Sequence, residues 1–222
     1  MTRAKGIVLG RNHFGESSDV VRFLSDELGL VSFAALGRRR LRSKMRAALE
    51  PLSYSEVVLY ERRGDVWLAR EATLLRDFHE ITKNLEAFEL VGRLFKLLED
   101  ALPPFAPVDG LVPLLLDFLS VVGMGGNPKA PYCLALIRTT ELFGVGPNLS
   151  RCSCRKGRPV GFSLESGVVC EDCEKKTKSV KLSPEATNTL ARLESAGWLS
   201  VGDIAVSNDI AALLEAYAKK HI

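Results

Sequence analysis

Asp19-Val-Val-Arg-Phe-Leu-Ser25 runs into Asp26-Glu-Leu-Gly29 and out again as Leu30-Val-Ser-Phe-Ala-Ala-Leu36. Alternating apolar side chains on both sides of a turn that ends in glycine predict two paired strands. The same pattern extends outward. Lys5–Arg11 reads as a strand upstream, and Tyr54–Arg62 and Val66–Leu75 read as two more downstream, joined by a turn at Gly64-Asp65. Enrichment in Val, Phe, Tyr and Trp at this spacing argues for a compact antiparallel barrel. Five strands in so short a stretch suit an OB-type barrel, which closes on itself and leaves no exposed edge.

Between the third and fourth strands lies Gly37-Arg-Arg-Arg-Leu-Arg-Ser-Lys-Met-Arg46, and no acidic residue occurs between Glu27 and Glu50. Six cations therefore sit in one connection of a chain whose formal net charge is only +3. Charge concentrated locally attracts a polyanion without making the whole molecule adhesive. Arg38, Arg39, Arg40, Arg42, Lys44 and Arg46 are the expected phosphate contacts, with Arg11 and Arg22 extending the patch if they face the same way. Such contacts give affinity without sequence preference. The bland alternative is a solvated loop that only aids solubility. Phe14, Phe23, Phe33, Tyr54 and Tyr60 are available for base stacking, but alternation sends several into the core and none is assigned.

The period changes after Thr82. Leu85, Phe88, Val91, Leu94, Phe95 and Leu98 are read as one helical face, and Pro103-Pro104 ends that helix. Two further helices, about Val112–Val122 and Pro131–Phe143, make a bundle. Ser183-Pro184 opens another with a hydroxyl cap and a first-turn proline, and a last helix spans about Asp209–Lys220.

Arg151–Lys176 is rich in Cys, Gly and charge and poor in apolar bulk. Cys152-Ser-Cys154 and Cys170-Glu-Asp-Cys173 form two tight thiol pairs across a hairpin-length spacer. That spacing predicts a structural Zn2+ held by Cys152, Cys154, Cys170 and Cys173, with metal binding in place of a hydrophobic core. Disulfides would need an oxidising compartment, and a redox Cys-x-x-Cys would need a βαβ setting. Cys133, between Tyr132 and Leu134 on a helix, reads as core packing.

The chain of 222 residues is 46% hydrophobic and 26% charged, ordinary for a globular protein. Strand-like alternation from Thr2 argues against a secretory leader. Leu111–Met124 is interrupted and too short to cross a bilayer. With thiols kept reduced, the expected location is cytoplasmic. No phosphate-binding loop, nucleophile elbow or dinucleotide fingerprint occurs, and the three histidines are scattered. Binding without catalysis is expected, so the chain is read as no enzyme.

Gly6-Ile-Val-Leu-Gly-Arg11, Phe14-Gly-Glu-Ser-Ser-Asp-Val-Val21, Gly29-Leu30, Leu36-Gly-Arg-Arg-Arg40 with Ser43, and Glu50-Pro51-Leu52 resemble the N-terminal domain of the RecO family. Gly144–Leu149 and Gly167-Val-Val-Cys170 are also similar to that family. The resemblance implies an α+β chain: a five-stranded OB-fold barrel over 1–80, a helical domain over 81–150 completed by 177–222, and an embedded four-cysteine zinc module at 151–176. It further implies binding of single- and double-stranded DNA, strand annealing, and help in loading the RecA recombinase onto coated single strands. Implied partners are RecR and the acidic C-terminal tail of the single-stranded-DNA-binding protein, with no membrane. The first knuckle departs from the family's usual Cys-x-x-Cys. The alternative is a zinc-ribbon, OB-fold factor that binds RNA in transcription or translation.

Overall fold

The computed structural model describes residues 1–14, 16–38, 45–62 and 66–222. Five strands, β1 (Thr2–Phe14), β2 (Ser18–Ser25), β3 (Gly29–Ala35), β4 (Ser53–Arg62) and β5 (Val66–Asp77), close into a barrel in the order β1-β2-β3-β5-β4. All neighbours are antiparallel except β3 and β5, which pair in parallel at Phe33↔Trp67 and Ala34↔Leu68. This is the OB arrangement. The alternation anticipated in the sequence places Ala4, Val8, Val21, Phe23, Val31, Phe33, Val57 and Leu59 inside. Phe23 and Phe33 meet edge-on at 5.8 Å, which removes both from the set of possible base-stacking rings. Phe14 and Tyr60 remain exposed.

Gly29 closes the β2–β3 turn at φ +70, and a Cβ there would lie 2.5 Å from the backbone of Ala106. Glycine is required twice over, by handedness and by space. Leu49, on the short segment entering β4, is fully buried in the barrel cluster with Met45 packed beside it. The turn Gly64-Asp65 lies outside the described residues.

The chain divides into two compact units, Met1–Lys83 with Leu98–Pro113, and Asn84–Leu97 with Leu114–Ile222. The second holds most of the helices: α1 (Leu85–Ala101) and α2 (Leu111–Gly123) lie mainly in it, and α3 (Lys129–Leu142), α5 (Pro184–Ser195) and α6 (Asn208–His221) entirely. Helix α3 is buried almost along its length, from Ala130 through Ile137, and packs against α5 and α6. Cys133 is wholly inside, and burial pushes its thiol up to about 12. Ser183 and Ser207 cap α5 and α6 by accepting from the amides of Ala186 (3.2 Å) and Ile210 (3.3 Å).

The face of α1 differs from the expectation. Ala87, Val91, Leu94 and Leu98 are buried, whereas Leu85 and Phe88 are exposed. A series spaced by threes falls back about 60° per step on a helix of 3.6 residues per turn, so Leu85 ends half a turn away from Leu94.

The cysteine segment is more structured than its composition suggests. A three-stranded sheet, β6 (Pro159–Ser163), β7 (Gly167–Cys170) and β8 (Val180–Lys181) in the order β7-β6-β8, is followed within β7's chain by the single-turn helix α4 (Glu171–Glu174). Its faces are not empty: Phe162 and Val168 are buried on one side and Val169 packs with Cys152 and Cys170 on the other, and Phe162 meets Tyr217 of α6 edge-on at 5.9 Å. The module leans on a helix of its own unit as well as on its thiols.

Candidate nucleic-acid interface and metal centre

The basic segment is mounted on a buried ion network. Asp19 on β2 has no exposed surface, and accepts from Arg38 Nη1 at 2.6 Å and from His13 Nδ1 at 2.8 Å. Glu50 accepts from Arg38 Nη2 at 2.7 Å and from Arg11 Nε at 3.1 Å, and an Arg11 Nη1 lies 3.7 Å from Asp19. Burial raises both carboxyls, yet hydrogen bonds and charge from Arg38, Arg11 and, at Asp19, His13 outweigh it. Both therefore titrate below their ordinary range.

Arg38 corrects the sequence reading. It was expected among the phosphate contacts, but it is 1% exposed and its guanidinium is taken by two carboxylates and by the carbonyl of Arg46 at 2.9 Å. It has no surface to offer a phosphate. Instead it links the start of the basic segment to its end. The physical reason is distance in sequence: Asp19 lies on β2, upstream of the acid-free stretch, and Glu50 at its far end, and the two close on Arg38 only when the barrel forms. Local composition shows one arginine among five other cations. The signal was nonetheless there, in Asp19 and Glu50, which lie within the motifs Phe14–Val21 and Glu50–Leu52.

The other expected contacts are placed as follows. Arg46 is exposed. Arg11 is about three-quarters buried at its side chain and paired with Glu50. Arg22 is paired with Glu99 at 2.5 Å. Arg39, Arg40, Arg42 and Lys44 lie outside the described residues. Arg11 and Arg38 with Asp19 and Glu50 form a neutral set, so a net positive surface here depends on the segment beyond Arg38.

The second constellation is the thiol cluster. The sulfurs of Cys152, Cys154, Cys170 and Cys173 all lie within 4.8 Å of one another, with Cys154 3.5 Å from both Cys152 and Cys170. That is too long for disulfides, whose sulfurs sit about 2.05 Å apart. It is close to the edge of about 3.8 Å that a tetrahedron with metal–sulfur bonds of about 2.3 Å requires. One intervening residue in the first knuckle suffices, because Arg155 takes a left-handed turn (φ 58) and its amide donates to Cys152 O at 2.8 Å. Gly157 lies against Cys170, where a Cβ would come within 2.9 Å of the Cys170 Cβ.

The protons fit a cation site too. Burial opposes ionisation of Cys152, but the amides of Cys154 and Cys170 and the neighbouring thiols bring it down to about 7. Hydrogen bonds shared with Cys154, Cys152 and Cys170 hold the proton on Cys173, up to about 12. Four thiolates cannot gather here on their own; a divalent cation would remove the conflict. The four residues could hold a metal ion.

Among the described residues no helix is long and apolar enough to cross a membrane. Comparison with known families matches residues 1–77 to the model of the recombination protein O N terminus and residues 83–222 to that of its C terminus. The chain is 25% identical to the DNA repair protein RecO of Caldicellulosiruptor saccharolyticus over 99% of this chain and 91% of the relative. It is 32% identical to that of Anaeromyxobacter dehalogenans over 87% and 78%, and 26% identical to that of Thermodesulfovibrio yellowstonii over 76% and 68%. Barrel, helices and thiol cluster thus stand in a sequence matched along nearly its whole length, and the chain belongs to the RecO family of DNA repair proteins.

Proposed function

We propose that this protein is a non-catalytic recombination mediator: it binds single- and double-stranded DNA, anneals complementary strands and helps load RecA onto strands coated by the single-strand-binding protein. RecR and the coating protein's acidic tail are its proposed partners. The observation that carries the DNA-binding part is the acid-free segment Gly37–Arg46 on a closed barrel, its two ends joined by the buried Arg38. Segment ends fixed in this way lower the ordering cost of presenting Arg39, Arg40, Arg42, Lys44 and Arg46 to a backbone. Two phosphate backbones neutralised by one protein repel each other less, which is what annealing needs.

The metal is proposed to be Zn2+, one per chain, because four thiolates close a tetrahedral shell and leave no open position for catalysis. Its role is to hold the two knuckles in register. For the acidic tail, the helical unit offers a groove of ≈ 580 Å³ whose walls include Leu164, Leu182, Ile210 and Leu213, with Lys181 and Asp209 as its charged lining. Carboxylates beside a terminal apolar side chain suit such a groove. Annealing of complementary strands, bare and coated, tests the reading. Acceleration on both substrates is expected; no acceleration on either would leave the chain without this function.

A further inference from the structure

The barrel segment is not the largest source of surface cations that the described residues reveal. Between Arg151 and Lys181 there are eight cations and four acids, an excess greater than the net +3 of the whole chain. The thiol cluster gathers them: Arg151, Arg155 and Lys156 flank the first cysteine pair, Lys175 and Lys176 follow the second, and the four sulfurs lie within 4.8 Å of one another. All five are exposed, as is Arg158. Among the described residues only Lys175 of these six has a carboxylate partner, Glu171 at 3.7 Å, and both are on the surface where such pairs count for little. The acids are fewer and partly engaged, Glu165 with Lys220 and Glu171 with Lys175.

A divalent ion with four thiolates carries a formal −2. It therefore offsets only part of the excess, from beneath the surface. The backbone of Arg155 is held on a tight turn by its amide's bond to Cys152, which fixes where its exposed side chain leaves the chain.

We propose that the cysteine module is a second binding site for the sugar–phosphate backbone of DNA, made by Arg151, Arg155, Lys156, Arg158, Lys175 and Lys176, in addition to the barrel segment. An anionic membrane is the poorer match: it needs apolar side chains beside the cations, and the residues between them on the first knuckle are Ser153 and Gly157 with the cysteines. A protein that brings two strands together is served by two backbone sites. The inference rests on the reading of this chain as a DNA-binding protein.

The test uses the full chain with its metal, and the probe is a labelled single-stranded oligonucleotide. The variant Arg151→Gln/Lys156→Gln/Lys175→Gln/Lys176→Gln keeps all four thiols and the strained Arg155. Its log-affinity should lose roughly 0.7 of salt slope for each contact removed, up to about three units, with metal content unchanged. Loop variant Arg39→Ala/Arg40→Ala/Arg42→Ala should keep residual salt-dependent binding, which the module substitutions then remove. Should the variant fold poorly, the wild-type chain still decides: the oligonucleotide should shield Lys156, Lys175 and Lys176 from an acylating reagent.

Equal affinity and slope in the module variant, or no shielding, overturns the second site while leaving DNA binding by the barrel intact. Loss of binding to an acidic peptide or to anionic vesicles, with DNA affinity unchanged, also overturns it. Absence of any DNA binding by the wild-type chain would instead remove the broader reading on which the inference stands.

Discussion

Asp19 gives a sign test that separates an anchor from a contact. Removing a carboxylate from a DNA-binding surface ordinarily raises affinity for a polyanion. Asp19 is fully buried and holds Arg38 at 2.6 Å, so Asp19→Asn is expected to lower DNA affinity and to cost stability. Loss of one partner of a buried, hydrogen-bonded pair costs about 3–5 kcal/mol. Arg38→Lys keeps the charge but cannot reach Asp19, Glu50 and the Arg46 carbonyl together, so it should resemble Asp19→Asn and not wild type. Trypsin cleavage within 39–44 should quicken in both variants. Stronger DNA binding by Asp19→Asn would mean that Arg38 is freed to act as a contact, contrary to the anchor. Acid should produce a related loss. Asp19 and Glu50 have depressed pKa values, so their contribution is fully present above the ordinary carboxylate range of about 4 and disappears as pH falls through the lower folded values. Denaturant midpoints across that window should fall more steeply for wild type than for Asp19→Asn.

At the scale of elements, strands and helices whose own side chains repeat with a clear period are legible in the sequence. β2 and β3 show this, with Val21, Phe23, Val31 and Phe33 inside as alternation requires. The sheet of the cysteine module was not readable. β8 has two residues and β6 contains Pro159 and Gly161, so neither carries enough period to register. Their pairing is imposed by the sulfurs and by Phe162 on Tyr217, partners 55 residues apart in sequence. Arg38 failed to declare itself for the same reason, because its carboxylates lie 19 residues before and 12 after it. Two expectations follow at this scale. Arg39→Ala/Arg40→Ala/Arg42→Ala should weaken DNA binding and flatten its salt dependence by about one log-log unit per lost contact while far-UV circular dichroism stays native. An unchanged slope would remove the segment from the interface. Cys170→Ser should lose the metal, measured on protein purified without chelator, and lower the thermal stability of the helical unit, since Cys170 starts α4 and ends β7. Four freely reactive thiols and no metal in the wild-type chain would show that the short first knuckle does not support the site.

For the molecule as a whole, DNA and protein partners make different chemical demands. A backbone wants exposed cations over a broad surface, and an acidic tail ending in an apolar residue wants a greasy groove with a cation at its edge. Several cations of the helical sequence are already engaged: Lys83 is paired with Glu80, Arg93 with Glu215, and Arg138 with Glu141 and two carbonyls, while Lys96 also has a partner. The groove between β8, α5 and α6 is proposed as the receptor, because most of its lining is aliphatic and Lys181 lines it with a single acid, Asp209. Ala216 lines that groove and is exposed. Ala216→Glu keeps a strong helix former in α6 while placing a carboxylate where the tail's own carboxylates would come. Affinity for a labelled tail peptide should fall about tenfold or more, an effect of roughly 1.4 kcal/mol. Annealing of bare strands should be untouched, and annealing of coated strands should drop with the peptide. A variant that binds the peptide as wild type does would place the tail elsewhere. One that loses bare-strand annealing as well would mean that DNA itself crosses this groove, and that partner and substrate compete for one surface.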